Sequence, residues 1–118
     1  MSVTQDPSSA GRRITMAEAR EMVETYAKAC TDTDIRSLTI NADYLRKILD
    51  QPDCQFVRFY LAVVDPKAQA QGLPQGHSLV VIGADSTNAN ITLDDDATQV
   101  YEDLSICPPG CDGDSYTL

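Results

Sequence analysis

Two cysteines bracket Pro-Pro-Gly near the end of the chain, in "ICPPGCDGDSYTL", residues 106–118. Pro108 biases Cys107 toward an extended backbone. Pro109 and Gly110 suit the centre of a type II turn, which would bring Cys111 back toward Cys107. Three chemistries fit such a pair: a local disulfide under oxidation, a thiol-redox couple, or half of a metal site. The disulfide would close a very small loop and add at most about 2 kcal/mol in the chain-entropy model. A redox catalyst needs a thiol of lowered pKa. No Lys, Arg or His lies nearby in sequence, and the surrounding carboxylates raise a thiol pKa instead. A structural zinc site needs four ligands. The other candidates are Cys30, Cys54 and His77, and both of these cysteines read as small core residues, at the end of a helical stripe and the start of a strand.

His77 is the only histidine and stands next to Ser78 in "LPQGHSL". Adjacency in sequence does not make a nucleophile and base, and no G-x-S-x-G, H-E-x-x-H or phosphate-binding glycine loop accompanies them. "ADSTNANITLDDD" is dense in oxygen ligands. Counted from Asp85 as the first position of a calcium loop, Asn88 and Asn90 fall at positions 4 and 6, the glycine of position 6 is missing, and Asp96 stands at 12 where Glu is required. Asp94, Asp95 and Asp96 therefore read as a solvated acidic turn.

The elements that would position these residues follow from periodicity. Thr15 and Glu18 form a capping-box signature. Behind it, Ala19, Met22, Val23, Tyr26, Ala27 and Cys30 recur at helical spacing and predict an amphipathic helix with this stripe in the core. "IRSLTIN" is a short strand candidate. Asn41 suits the cap of a second helix, "ADYLRKILD", stopped by Pro52, with Leu45, Ile48 and Leu49 as its buried edge. From Cys54, "CQFVRFYLAVV" alternates two apolar faces and predicts a central strand, with Val57, Phe59, Leu61 and Val63 on one side and Phe56, Arg58, Tyr60 and Ala62 on the other. A polar loop over 65–77 leads to "SLVVIGAD", an interior strand expected to pair antiparallel with the first. "STNAN" is a turn, "ITL" the start of a further short strand, and "QVYEDL" a weak strand or helical turn. The expected fold is α+β, two helices packed on one face of a small, mostly antiparallel sheet. It spans residues 14–111, between a flexible tail over 1–13 and an acidic tail over 112–118.

Composition limits the partners. The formal net charge is -9, and every Lys and Arg precedes residue 68, so the second half of the chain is acidic without relief. Such a surface repels phosphate backbones and anionic lipid, which argues against nucleic acid and membrane and suits a basic protein partner. No window is long and apolar enough for a membrane helix, and the first residues have no apolar signal-peptide core. A cytoplasmic location is expected, with the cysteines mostly reduced.

Several segments carry a resemblance. "ADYLRKILDQPDCQFVRFYLAVVD", "HSLVVIGADSTNAN" and the terminal "CPPGC" together resemble a family of small uncharacterised proteins of Bacteroidetes-type bacteria, with an "ILxQPGC" turn, an "LVLVGVDxxGND" strand and turn, and a final "CPPxC". The matching positions are Ile48, Leu49, Gln51, Pro52 and Cys54; Val57, Arg58 and Tyr60; Leu79, Val80, Gly83 and Asp85; and Cys107, Pro108, Pro109 and Cys111. Asp53 and Ala89 stand where glycine is common. The resemblance covers roughly residues 14–111 and implies an organisation but no activity, cofactor or mechanism.

The sequence thus leans away from an enzyme. It suggests a soluble protein-interaction module with an acidic face, Asp94–Asp96 meeting a basic partner; the alternative is a thiol-redox or metal-binding protein using Cys107 and Cys111. It implies no cofactor, no catalytic set and no particular oligomeric state.

Overall fold

A computed structural model of the chain describes residues 7–31, 34–63, 77–102, 104–107 and 118. A 3-10 turn at Pro7–Ser9 stands inside the segment expected to be a tail. Helix α1, Met16–Ala29, starts at the predicted capping box: the Thr15 hydroxyl accepts from the Glu18 N–H at 3.1 Å, and the Glu18 carboxylate accepts from the Thr15 N–H at 3.3 Å. Helix α2, Ala42–Leu49, is capped by Asn41, whose side-chain oxygen accepts from the Asp43 N–H at 2.8 Å.

Two antiparallel sheets form. Strands β2 (Phe56–Val63), β3 (His77–Ala84) and β4 (Val100–Tyr101) make one, in the order β2-β3-β4. Strands β1 (Ser37–Thr39) and β5 (Ser105–Cys107) make the other, with Ser37 opposite Cys107. The α+β class and the antiparallel pairing of residues 56–63 with 77–84 are as expected. The position of β2 is not. Among the described strands it lies at the edge, and β3 lies at the centre. Hydrophobicity on both faces did not distinguish the two, because β4 claims the far side of β3 with only Val100 and Tyr101. "ITL" forms no strand. Asn90 instead bridges to Ala84, the chain loops out over 92–99, and it rejoins the same edge of β3 at Val100.

The core lies between α2 and the sheet. Ile48, Val81 and Leu104 form its buried cluster, flanked by Leu38, Ile40, Cys54, Val57, Leu79 and Tyr101. Tyr101 stacks on Tyr44 of α2 with ring centroids 4.8 Å apart. Of the expected buried edge of α2, only Ile48 is fully enclosed; Leu45 is partly buried and Leu49 is exposed. Gly83 makes the close approach of α2 possible. A Cβ there would stand 3.0 Å from Cys54 Sγ and 3.1 Å from both Gln51 Nε2 and Ile48 Cγ2.

The apolar stripe of α1 departs furthest from expectation. No residue of the helix is buried, and Met16, Met22, Val23 and Tyr26 are exposed. Periodicity identifies a helix with one apolar side but not whether anything covers that side. Polar contacts tether the helix: Tyr26 donates its hydroxyl proton to the Ile35 carbonyl at 2.8 Å, and Arg20 Nε donates to the Leu118 carbonyl at 3.2 Å. Cys30, Cys54 and Cys107 were expected to be reduced. Cys30 and Cys54 are free thiols, but Cys107 is disulfide-bonded.

Candidate functional site

Arg58 organises the most developed polar arrangement among the described residues. It lies on β2, and side chains alternate along a strand, so it projects from the sheet face opposite Val57, Phe59 and α2. The turn after β3 supplies its partners. Asp85 builds that turn by accepting from the Thr87 N–H at 2.9 Å, the Thr87 hydroxyl at 2.6 Å and the Ala89 N–H at 3.1 Å. These bonds favour its ionised form and hold its carboxyl below the usual range, the Thr87 hydroxyl contributing most. Asn88 takes the left-handed conformation, with φ of 66°, which a short amide side chain tolerates better than most residues.

The turn thereby presents amide oxygens to the guanidinium. Arg58 Nη2 donates to the Asn88 carbonyl at 3.1 Å and to Asn88 Oδ1, while Nη1 donates to Asn90 Oδ1. Asn90 Nδ2 in turn donates to the Tyr60 hydroxyl at 2.8 Å. That bond and the nearby Arg58 charge favour the phenolate and lower the Tyr60 pKa from its ordinary value. A second tie fixes the turn from the other side. Asp53, itself left-handed with φ of 56°, accepts from the Ser86 hydroxyl at 2.8 Å and the Ser86 N–H at 3.2 Å.

A cleft of about 490 Å³ opens beside this cluster. It is lined by Pro7, Ala10, residues 55–59 and Asn88. Arg58 is half-buried, and no carboxylate among the described residues pairs with it.

The residues singled out by sequence fall elsewhere. Asp94, Asp95 and Asp96 are exposed on the 92–99 excursion, at the β4 edge and therefore across the sheet from β2. Ala97 and Thr98 donate their N–H groups back to the Asp94 carbonyl at 2.8 and 3.0 Å, a closed solvated turn. Cys107 is 2 % exposed at the end of β5, and Cys111 lies outside the described residues. His77 is exposed at the start of β3, whereas Ser78 is 4 % exposed and its hydroxyl has no partner. Neighbours on a strand point to opposite faces, so these two do not converge as base and nucleophile. Among the described residues no group of three or more His, Cys, Asp or Glu is placed to hold a metal ion.

The sequence signal for the Arg58 cluster was present but indirect. Arg58 interrupts an otherwise apolar strand, and a charge there must find partners or solvent. Its partners are thirty residues or more away in the "STNAN" turn, beyond the reach of local pattern. Comparison with protein-family models, with curated proteins and with solved structures yields no match.

Proposed function

We propose that this chain is a non-enzymatic protein-interaction module. The observation that carries the reading is the exposed apolar edge of the sheet: Leu61 is 91 %, Phe59 53 % and Val63 44 % exposed on one face of β2. The uncovered stripe of α1 adds Met22, Val23 and Tyr26 to the exposed apolar surface. Contiguous exposed apolar surface marks contact sites in soluble proteins. The opposite edge of the sheet carries Asp94, Asp95 and Asp96, which suit a basic partner through charge complementarity. No catalytic step is assigned to any residue.

Capture of partners by the immobilised chain at graded ionic strength tests this. A partner held by the acidic edge elutes as salt rises and is lost on Asp94→Lys, Asp95→Lys and Asp96→Lys together. A partner indifferent to both treatments refutes the electrostatic part. Capture indifferent to Leu61→Lys as well refutes the role of the apolar edge.

A second reading rests on the disulfide of Cys107. With Cys30 and Cys54 free, Cys111 is the remaining cysteine of the four, and a Cys107–Cys111 pair would be a thiol-redox element. Thiol counting by alkylation and mass spectrometry tests it. Four alkylated cysteines without reductant refute the pair. The likeness to the bacterial family is likewise a proposal; the left-handed φ of Asp53, where that family commonly has glycine, supports it.

A further inference from the structure

We propose that the cleft beside Arg58 binds a small organic monocarboxylate, its anionic group held where Arg58 meets Asn88 and its apolar body against Phe56 and Pro7. The inference goes beyond the interaction reading above and does not depend on it.

The lining sets the character of the ligand. Five of the lining residues are apolar, Gln55 and Asn88 carry neutral amides, and Arg58 is the one charge. Ligand sites have this make-up, an apolar cavity with a few polar groups that fix orientation, and the volume of about 490 Å³ falls in their range. The turn at Pro7–Ser9 is closed by the Ala10 N–H, which donates to the Pro7 carbonyl at 3.0 Å.

The polar groups meet at one place. Arg58 and Asn88 both line the cleft and touch each other through Nη2, which donates to the Asn88 carbonyl at 3.1 Å and to Asn88 Oδ1. Nη1 donates to Asn90 Oδ1. A guanidinium carries five N–H donors. These bonds use three of them, so the Nε–H and one Nη1 hydrogen have no acceptor among the described residues. With Oδ1 of Asn88 turned to Arg58, its Nδ2 adds further donors beside them. The bonds to Asn88 and Asn90 already hold the guanidinium in place, so binding needs little further ordering of this side chain.

Charge then selects among ligands. The side-chain partners of Arg58 are neutral, and the carboxylates that build and brace the turn are engaged there, Asp85 with Thr87 and Ala89, Asp53 with Ser86. A cationic ligand would meet the guanidinium with no carboxylate in the lining to offset it. A carboxylate supplies the one compensating charge through a charge-assisted hydrogen bond. A phosphate dianion would add a second negative charge to a chain whose net charge is already -9, with no second cation in the lining.

The test titrates the full isotope-labelled chain with phenylacetate, with neutral phenylacetamide and with inorganic phosphate, following backbone and side-chain amide shifts. The expected result is saturable shifts concentrated at Ala10, residues 55–59 and the Asn88 side-chain amide. Phenylacetate should bind at least about tenfold tighter than phenylacetamide, the ratio of one charge-assisted hydrogen bond, and tighter than phosphate. Arg58→Gln should remove the preference for the acid over the amide. Ala10→Phe fills the cleft from an exposed position outside the Arg58 bonds and should abolish the saturable shifts, which keeps the test decisive if Arg58→Gln misfolds. Equal affinity for phenylacetate and phenylacetamide, phosphate binding as tightly as phenylacetate, shifts confined to another surface, no saturable shift with any of the three, or unchanged binding in Ala10→Phe would each overturn the proposal. The interaction reading is decided separately, by the salt and charge-reversal series at Asp94–Asp96.

Discussion

Replacing Gly83 by alanine should loosen the contact between α2 and the sheet. The added Cβ would meet Cys54 Sγ at 3.0 Å, Gln51 Nε2 at 3.1 Å and Ile48 Cγ2 at 3.1 Å, all shorter than the roughly 3.5–4.0 Å of an ordinary carbon contact. None of the three can yield independently. Ile48 is fully buried against the core, Gln51 Nε2 is tied to the Ile48 carbonyl at 3.0 Å, and Cys54 Sγ lies 3.5 Å from the Phe56 carbonyl. Relief requires the whole 48–54 segment to back away by several tenths of an ångström. Overpacking of this kind costs about 1–3 kcal/mol. Alanine returns about 0.4–1 kcal/mol by restricting the unfolded chain, since Gly83 does not occupy a left-handed conformation. The net loss should be about 1–2 kcal/mol, read as a lower urea midpoint at unchanged slope. Cys54→Ala removes one obstruction, so the double variant should lose less than the sum of the two single losses, with a coupling of at least about 0.5 kcal/mol. Strict additivity, or a Gly83→Ala protein as stable as the parent, would refute the close-approach argument.

Asp85 should contribute to acid sensitivity. Its folded pKa is depressed, so its contribution is complete above the ordinary carboxylate range and fades as pH falls through the folded value; Asp85→Asn should flatten the unfolding midpoint against pH in that acid window. Spectrophotometric titration should find one tyrosine ionising earlier than the others, and Asn90→Ala should move it back toward its ordinary value, the Arg58 contribution remaining; because the Tyr60 pKa is lowered, any linked stability gain belongs to alkaline pH only. Asn88→Gly should relieve the left-handed backbone but remove an acceptor from Arg58, leaving stability within about 1 kcal/mol of the parent while the Tyr60 titration shifts. Neutralising Asp94, Asp95 and Asp96 to asparagine should lower solubility with little change in the thermal midpoint, because all three are exposed and solvated.

What the sequence reveals divides by the range of the interactions. Thr15 with Glu18, and Asn41 before α2, are local devices, and both helices begin where those residues require. The β2–β3 hairpin is also legible, since two long apolar runs follow one another. The β1–β5 pair is not, because Ser37 and Cys107 are distant in sequence and each strand is only three residues long. For the same reason the stripe of α1 and the first face of β2 looked like core. Their burial depends on which other elements reach them; among the described residues none buries a residue of α1, and on that face of β2 only Val57 packs against the core. Of the candidate site, Arg58 stands out as a charge in an apolar strand, whereas Asn88 and Asn90 become its partners only through the left-handed turn that Asp85 and Asp53 hold together.

An exposed apolar edge and a strongly acidic chain are physically linked. A flat edge with Leu61 and Phe59 in solvent invites pairing between copies, and the usual local remedy is a charge on the strand itself. Here the single charge is Arg58, and it is turned toward the Asn88–Asn90 turn and away from the apolar face. The remaining protection is global: with a net charge of -9, two copies approaching edge to edge repel before their backbones can pair.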